Sequence, residues 1–84
     1  MFWVYIFKSK KNNQLYIGQT NNIESRMIRH NSGMVRSTKS KLPYELIYSK
    51  EMKSRSEAMR IEHKLKSFKN TNYIEYLIKN GLVE

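Results

Sequence analysis

The chain opens on an unbroken apolar run, Trp3-Val4-Tyr5-Ile6-Phe7, answered by Leu15-Tyr16-Ile17-Gly18-Gln19. Both runs are rich in the aromatic and β-branched residues that suit strands. Between them Lys8 to Gln14 is polar, with Asn12-Asn13 in its middle. Asn tolerates the positive φ that a tight reversal needs, so the pattern predicts a β-hairpin. Side chains alternate along a strand, which puts Trp3, Tyr5 and Phe7 on one face and Phe2, Val4 and Ile6 on the other. Gly18 packs nothing of its own and marks a close approach by backbone or ligand. The tyrosines beside that opening read either as a site or as half-buried sheet aromatics.

Beyond the hairpin the apolar period changes. Thr20-Asn21-Asn22 supplies cap candidates for a helix from about Ile23 to His30, with Glu24 well placed in its first turn. Ile23 and Met27 lie one turn apart and face the sheet; Arg26 and His30 form a neighbouring stripe whose tips converge. Asn31-Ser32-Gly33 ends that helix. A long basic loop with Arg36, Lys39 and Lys41 follows and closes at Pro43, and Arg29 adds to the same charge. Such a loop suits phosphate, or is simply a solvated connection. Tyr44 to Ser49 predicts a third strand, with Tyr44, Leu46 and Tyr48 alternating against Glu45, Ile47 and Ser49.

Ser54-Arg55-Ser56-Glu57 is a capping box opening a second helix that buries Ala58, Ile61, Leu65 and Phe68. Glu62 falls at the edge of that stripe. A carboxylate there needs a partner, either an ion pair with Arg60, Lys66 or a neighbour, or a metal ion. A third helix from about Asn72 to Asn80 turns Ile74, Leu77 and Ile78 inward and stops at Gly81. The expected architecture is α+β in the order ββαβαα: a three-stranded antiparallel sheet flanked by three helices. All 84 residues form one domain in this reading.

Composition sharpens the picture. Sixteen Lys and Arg against seven acids give a formal net charge of +9, which points to a polyanionic partner. Every acid is Glu, so nucleases built on clustered Asp ligands for two metals cannot be assembled. Without Cys there is neither a disulfide nor a thiolate zinc site. No apolar run approaches the roughly 20 residues of a membrane span, and the start lacks the marks of a signal peptide. A cytoplasmic protein with no membrane partner is expected.

At this point the residues resemble a known family. Val4-Tyr5 followed by Tyr16-Ile17-Gly18 is similar to the paired signature of the GIY-YIG endonuclease superfamily. Trp3-Val4-Tyr5 stands where the name has Gly-Ile-Tyr, keeping the Tyr and a β-branched residue, and the second element is complete. The stretches Tyr16 to Arg26 with His30-Asn31, and Ser56 to Lys66, resemble the small stand-alone bacterial members. The likeness covers nearly the whole chain and matches five polar residues in order: Tyr5, Tyr16, Arg26, His30 and Glu62.

The resemblance implies metal-dependent endonuclease chemistry, the hydrolysis of phosphodiester bonds in nucleic acid, with DNA favoured over RNA. Glu62 would hold one Mg²⁺ or Mn²⁺, with waters and the scissile phosphate completing its shell. Tyr5 would take the proton of the attacking water and Tyr16 would orient water or phosphate. A tyrosine starts near a pKa of about 10, so Tyr5 needs a cationic neighbour or metal-bound water to act as a base. Arg26 suits the charge developing on the phosphoryl oxygens. His30 would assist Tyr5 or bind phosphate. Arg29, Arg36, Lys39 and Lys41 would grip the nucleic-acid backbone, in a setting of DNA repair or recombination.

The family's usual companion domain is not among these residues. Base reading is therefore expected to be slight, a protein partner would supply specificity, and a monomer is expected. Asn70 and Asn72 are left unassigned. The alternative function is a basic nucleic-acid-binding module that keeps the fold but cuts poorly or not at all. Metal-independent RNA cleavage by a His30–His63 pair has little behind it, since nothing in the spacing joins the two. Trp3 either stacks a base or fills core.

Overall fold

The computed structural model describes residues 1–32 and 42–81. The predicted hairpin forms from β1 (Phe2–Ser9) and β2 (Leu15–Thr20). Its reversal rests on local chemistry: Asn13 takes φ 63°, and the Ser9 hydroxyl accepts from the backbone N–H groups of Lys11 and Asn12. Asn12 Oδ1 accepts from Gln14 N at 3.0 Å, an Asx turn that closes the loop. A third strand, β3 (Tyr44–Met52), pairs antiparallel with the other side of β1, so the sheet order is β2-β1-β3. The first strand is thus the central one, and β2 is an edge.

The helices start where short polar side chains can cap them. Asn22 accepts from Ser25 N at the head of α1 (Ile23–Asn31), and Ser54 accepts from Glu57 N at the head of α2 (Arg55–Ser67). Asn70 accepts from Tyr73 N at the head of α3 (Thr71–Lys79), and Gly81 leaves that helix with φ 66°. Each such cap satisfies one of the four orphaned N–H groups of a helix start.

Two cores lie on opposite faces of the sheet. Val4 and Ile6 of β1, Ile17 of β2 and Met52 of β3 pack against Ala58, Ile61 and Leu65 of α2 and Ile74 of α3. Ile61 and Leu65 are essentially fully buried, each worth about 1.5–3 kcal/mol of removal from water. On the other face Tyr5 and Phe7 meet Tyr44, with Tyr16, Ile23, Met27 and Leu42 around them. The alternation expected for β1 is therefore present, with α1 on one side and α2 and α3 on the other. At the far end of β1, Lys8 reaches Glu75 of α3 at 2.7 Å.

The simple alternation predicted for β3 is not. Ile6 pairs with Tyr48 and Phe7 with Leu46, leaving Ile47 as an extra residue in a β-bulge. Tyr44 consequently faces α1, whereas Ile47 and Tyr48, neighbours in sequence, both pack on the α2 side. The strand also runs past Ser49 to Met52, whose side chain is buried in that core. A clamp joins α1 to the start of β3: Asn31 Oδ1 accepts from Tyr44 N at 2.7 Å and Asn31 Nδ2 donates to Tyr44 O at 3.1 Å. No helix among the described residues is long and apolar enough to cross a membrane.

Candidate active site

Tyr5 and Gly18 face each other across β1 and β2. A Cβ built on Gly18 would collide with the Tyr5 hydroxyl and lie 2.7 Å from its Cζ. Glycine stands here because the Tyr5 ring crosses over the β2 backbone, and no left-handed φ is involved. The close approach expected at Gly18 is thus made by a side chain of the same protein. Two pairs further on, Phe7 faces Tyr16, and the same face carries both tyrosines. Their rings lie near-parallel, 6.5 Å apart, with Phe7 4.5 Å from Tyr5.

His30, delivered by the last turn of α1, closes this aromatic cage. Its ring meets Tyr16 edge-on at 4.5 Å, Phe7 at 5.2 Å and Tyr44 at 6.0 Å. The imidazole is 1 % exposed, and its ring neighbours are Tyr5, Phe7, Tyr16 and Tyr44. Burial lowers its pKa, and the positive charges of Arg26 and Arg29 lower it further, so it is neutral at pH 7.

Tyr5 is equally buried, and burial pushes its pKa up to about 12. Arg26 opposes the rise by favouring the phenolate, while Tyr16 and Glu62 add to it. Side chains from β2, α1 and α2 thus act on one phenol. Arg26 does so from a half-buried place on α1, and Arg29 projects into solvent on that helix. Arg36, Lys39 and Lys41, together with Gly33, lie outside the described residues.

Glu62 finds its partner on its own helix: Lys66 Nζ lies 2.8 Å from Oε2. The carboxylate side chain is 18 % exposed and the lysine 55 %, so the pair sits at the surface and contributes only a few tenths of a kcal/mol. Among the described residues no group of three or more His, Asp or Glu converges. A cation at Glu62 would therefore draw few ligands from the described residues and fill the rest of its shell with water and phosphate oxygen. That donor set fits Mg²⁺ or Mn²⁺, which keep several waters, and does not fit a closed structural metal.

Other expectations sort themselves by position. Asn70 is occupied as the α3 cap, and Asn72 is exposed. His63 is exposed on α2, whereas His30 is buried under α1 on the opposite face of the sheet. Trp3 is half-buried beside Asn21, Asn22, Ile23 and Ser49, at the rim of the α1 face. Tyr44 and Phe7 are cage members that pattern reading of the strands did not single out. Their only advance signal was aromatic character, which a core residue shares.

The model of the GIY-YIG catalytic domain matches residues 1–75. A UPF0213 protein of Staphylococcus haemolyticus is 45 % identical over 67 residues, covering 79 % of this chain and 80 % of the relative. A second, from Staphylococcus saprophyticus, is 35 % identical over 80 residues, covering 94 % and 95 % respectively. The solution NMR structure of the UPF0213 protein BH0048 from Bacillus halodurans superposes with a TM-score of 0.58 at 30 % identity, covering 94 % of this chain and 84 % of that one. With its tyrosine pair, its Gly18 crossing and these relatives, the chain belongs to the GIY-YIG family, a nuclease superfamily.

Proposed function

We propose that this protein is an endonuclease that hydrolyses phosphodiester bonds, with DNA favoured over RNA and one divalent cation held at Glu62. The observation that carries the reading is the setting of Tyr5: its hydroxyl lies over Gly18, in the joint field of Arg26, Tyr16 and Glu62. As it stands that phenol is protonated. With a pKa of about 12, the phenolate fraction at pH 7 is about one part in 100,000. Mg²⁺ or Mn²⁺ at Glu62 would replace the negative charge facing Tyr5 by a positive one and supply Lewis-acid charge to the phosphate.

The chain's own residues then divide the work. Tyr5, its ring wedged between Gly18 and Phe7, would first give its phenol proton to solvent, a loss that a cation at Glu62 would favour, and as phenolate would take the proton of the attacking water. The water oxygen bonds to phosphorus as the bond to the leaving sugar oxygen breaks. Arg26 stabilises the charge that builds on the phosphoryl oxygens, through a fork of donors that is never deprotonated. Tyr16 orients water or phosphate from its place beside Tyr5. His30, neutral and buried, is a positioning residue: it braces the Tyr16 ring. Arg29 on α1 and the basic stretch at Arg36, Lys39 and Lys41 contribute backbone affinity that salt weakens. The reading places the protein in the cytoplasm beside its nucleic acid.

The test is cleavage of labelled single-stranded, duplex and branched DNA, and of RNA, in Mg²⁺ or Mn²⁺ against EDTA. Tyr5→Phe and Glu62→Ala are expected to lose the metal-dependent product while keeping the fold. Binding without product on every substrate would instead favour the non-cutting nucleic-acid module.

A further inference from the structure

Along the open edge of β2 runs a groove of about 480 Å³. Leu15 and the narrow exposed edges of the core residues Ile17, Leu65 and Ile74 form its apolar floor, and Lys66 and Lys69 stand at its side. Among the described residues no carboxylate lines it. Tyr16 belongs both to this groove and to the aromatic cage, and Lys66 lines the groove while holding Glu62 at 2.8 Å. The groove therefore borders the proposed cleavage centre at Tyr16 and Lys66.

Lys69 adds a second, independent observation. Its φ is 54°, in the left-handed region, just past the end of α2. Such a position ordinarily takes Gly or Asn, because a side chain there crowds its own carbonyl. A lysine tolerated at that expense places a positive charge on the rim of the groove, which is a functional reason for strain at this point.

We propose that this groove seats a single strand of the nucleic acid leading away from the scissile phosphate. Lys69 meets its phosphates, Lys66 joining it when a cation at Glu62 releases their ion pair, and the apolar floor lies under its sugars and unstacked bases. The identity of the ligand rests on the nuclease reading above. A single strand exposes apolar base faces together with phosphates, and so matches both halves of the groove. A duplex keeps its bases stacked inside and has no use for the floor. A protein strand added to the β2 edge is the competing occupant, and it would bind through main-chain hydrogen bonds with little dependence on salt.

The experiment is fluorescence anisotropy of a labelled oligothymidylate and of a duplex of equal length, titrated with the intact protein in EDTA, so that no cutting is required. Lys69→Gly is the informative variant, since it removes the charge and relieves the backbone; its Tm is expected to equal or exceed the native value. Single-strand affinity should fall about three- to tenfold, with the slope of log K against log salt shallower by about 0.7. Duplex affinity should change less than twofold. Lys50→Ala removes the same charge from β3, at the opposite edge of the sheet, and should have the smaller effect on the single strand.

Native single-strand affinity in Lys69→Gly overturns the proposal and leaves the β2 edge to a protein strand. An equal loss in Lys50→Ala, or an equal loss for duplex, overturns it as well, because the binding is then diffuse charge. The nuclease reading is judged separately. Groove binding lost in Lys69→Gly without cleavage in any metal would refute the enzyme and keep the groove, and the reverse result would do the opposite.

Discussion

Replacing Gly18 by alanine would insert a methyl group into the space that the Tyr5 ring occupies. The new carbon would lie 2.7 Å from Tyr5 Cζ and closer still to its hydroxyl, where ordinary contact begins at 3.4 Å, so the ring must retreat by at least about 0.7 Å. There is little room to do so: Tyr5 is 1 % exposed and lies 4.5 Å from Phe7, centroid to centroid. Overpacking of this kind costs about 1–3 kcal/mol. Alanine in an extended strand recovers about 0.5–1 kcal/mol of backbone entropy relative to glycine. The net is a loss of about 1 kcal/mol, or roughly 4–8 °C in Tm for a domain of this size.

Cleavage should suffer more than stability. Displacing a reacting group by 1 Å can cost on the order of a hundredfold, so a 0.7 Å retreat of the phenol should lower kcat by about ten- to a hundredfold. Urea unfolding and cleavage kinetics are measured on Gly18→Ala, Tyr5→Leu and the double variant. Leucine removes both Cζ and the hydroxyl, so the added methyl then falls into vacated space. The two changes should be coupled by about 1–2 kcal/mol, with Gly18→Ala becoming neutral or stabilising in the Tyr5→Leu background only because the collision has gone. Additivity within about 0.5 kcal/mol would refute the crossing as the reason for glycine.

Three further outcomes follow from the same geometry. His30 titrates below its unfolded value, so the unfolded chain takes up the proton first, and stability should decline as pH falls below about 6.5 until the folded value is passed. His30→Phe should flatten that part of the urea-midpoint profile between pH 7 and 5, and an unchanged slope would refute it. Asn31→Ala removes both bonds to the Tyr44 backbone and should cost about 1–2 kcal/mol in urea unfolding, since two main-chain groups lose their partner. Asn13→Val forces a β-branched residue into φ 63° and should cost about 1–2 kcal/mol, whereas Asn13→Gly should be tolerated.

Much of the fold was legible because its determinants act over a few residues. The Asn12-Asn13 reversal, the Asn22 and Ser54 caps and the Gly81 stop each depend on groups within four positions in the chain. Sequence patterns report such interactions directly. The ββαβαα order followed from them, with boundaries displaced by a residue or two at helix ends and further at β3. The bulge at Ile47 was not legible. It arises from satisfying two cores at once, Tyr44 under α1 and Tyr48 against α2, and neither core is visible from within β3.

The site divides the same way. Residue types and order alone marked Tyr5, Tyr16, Arg26, His30 and Glu62, through their likeness to a family. Tertiary structure decided what surrounds them. It chose Lys66 over Arg60 as the partner of Glu62, put His30 behind the tyrosines, and set the Tyr5 ring over Gly18. It also raised the Tyr5 pKa to about 12. Burial and charge fields sum over every neighbour in space, and those neighbours come from strands and helices far apart in the chain. Sequence by itself therefore named the chemical groups, and only packing fixed their protonation and reach.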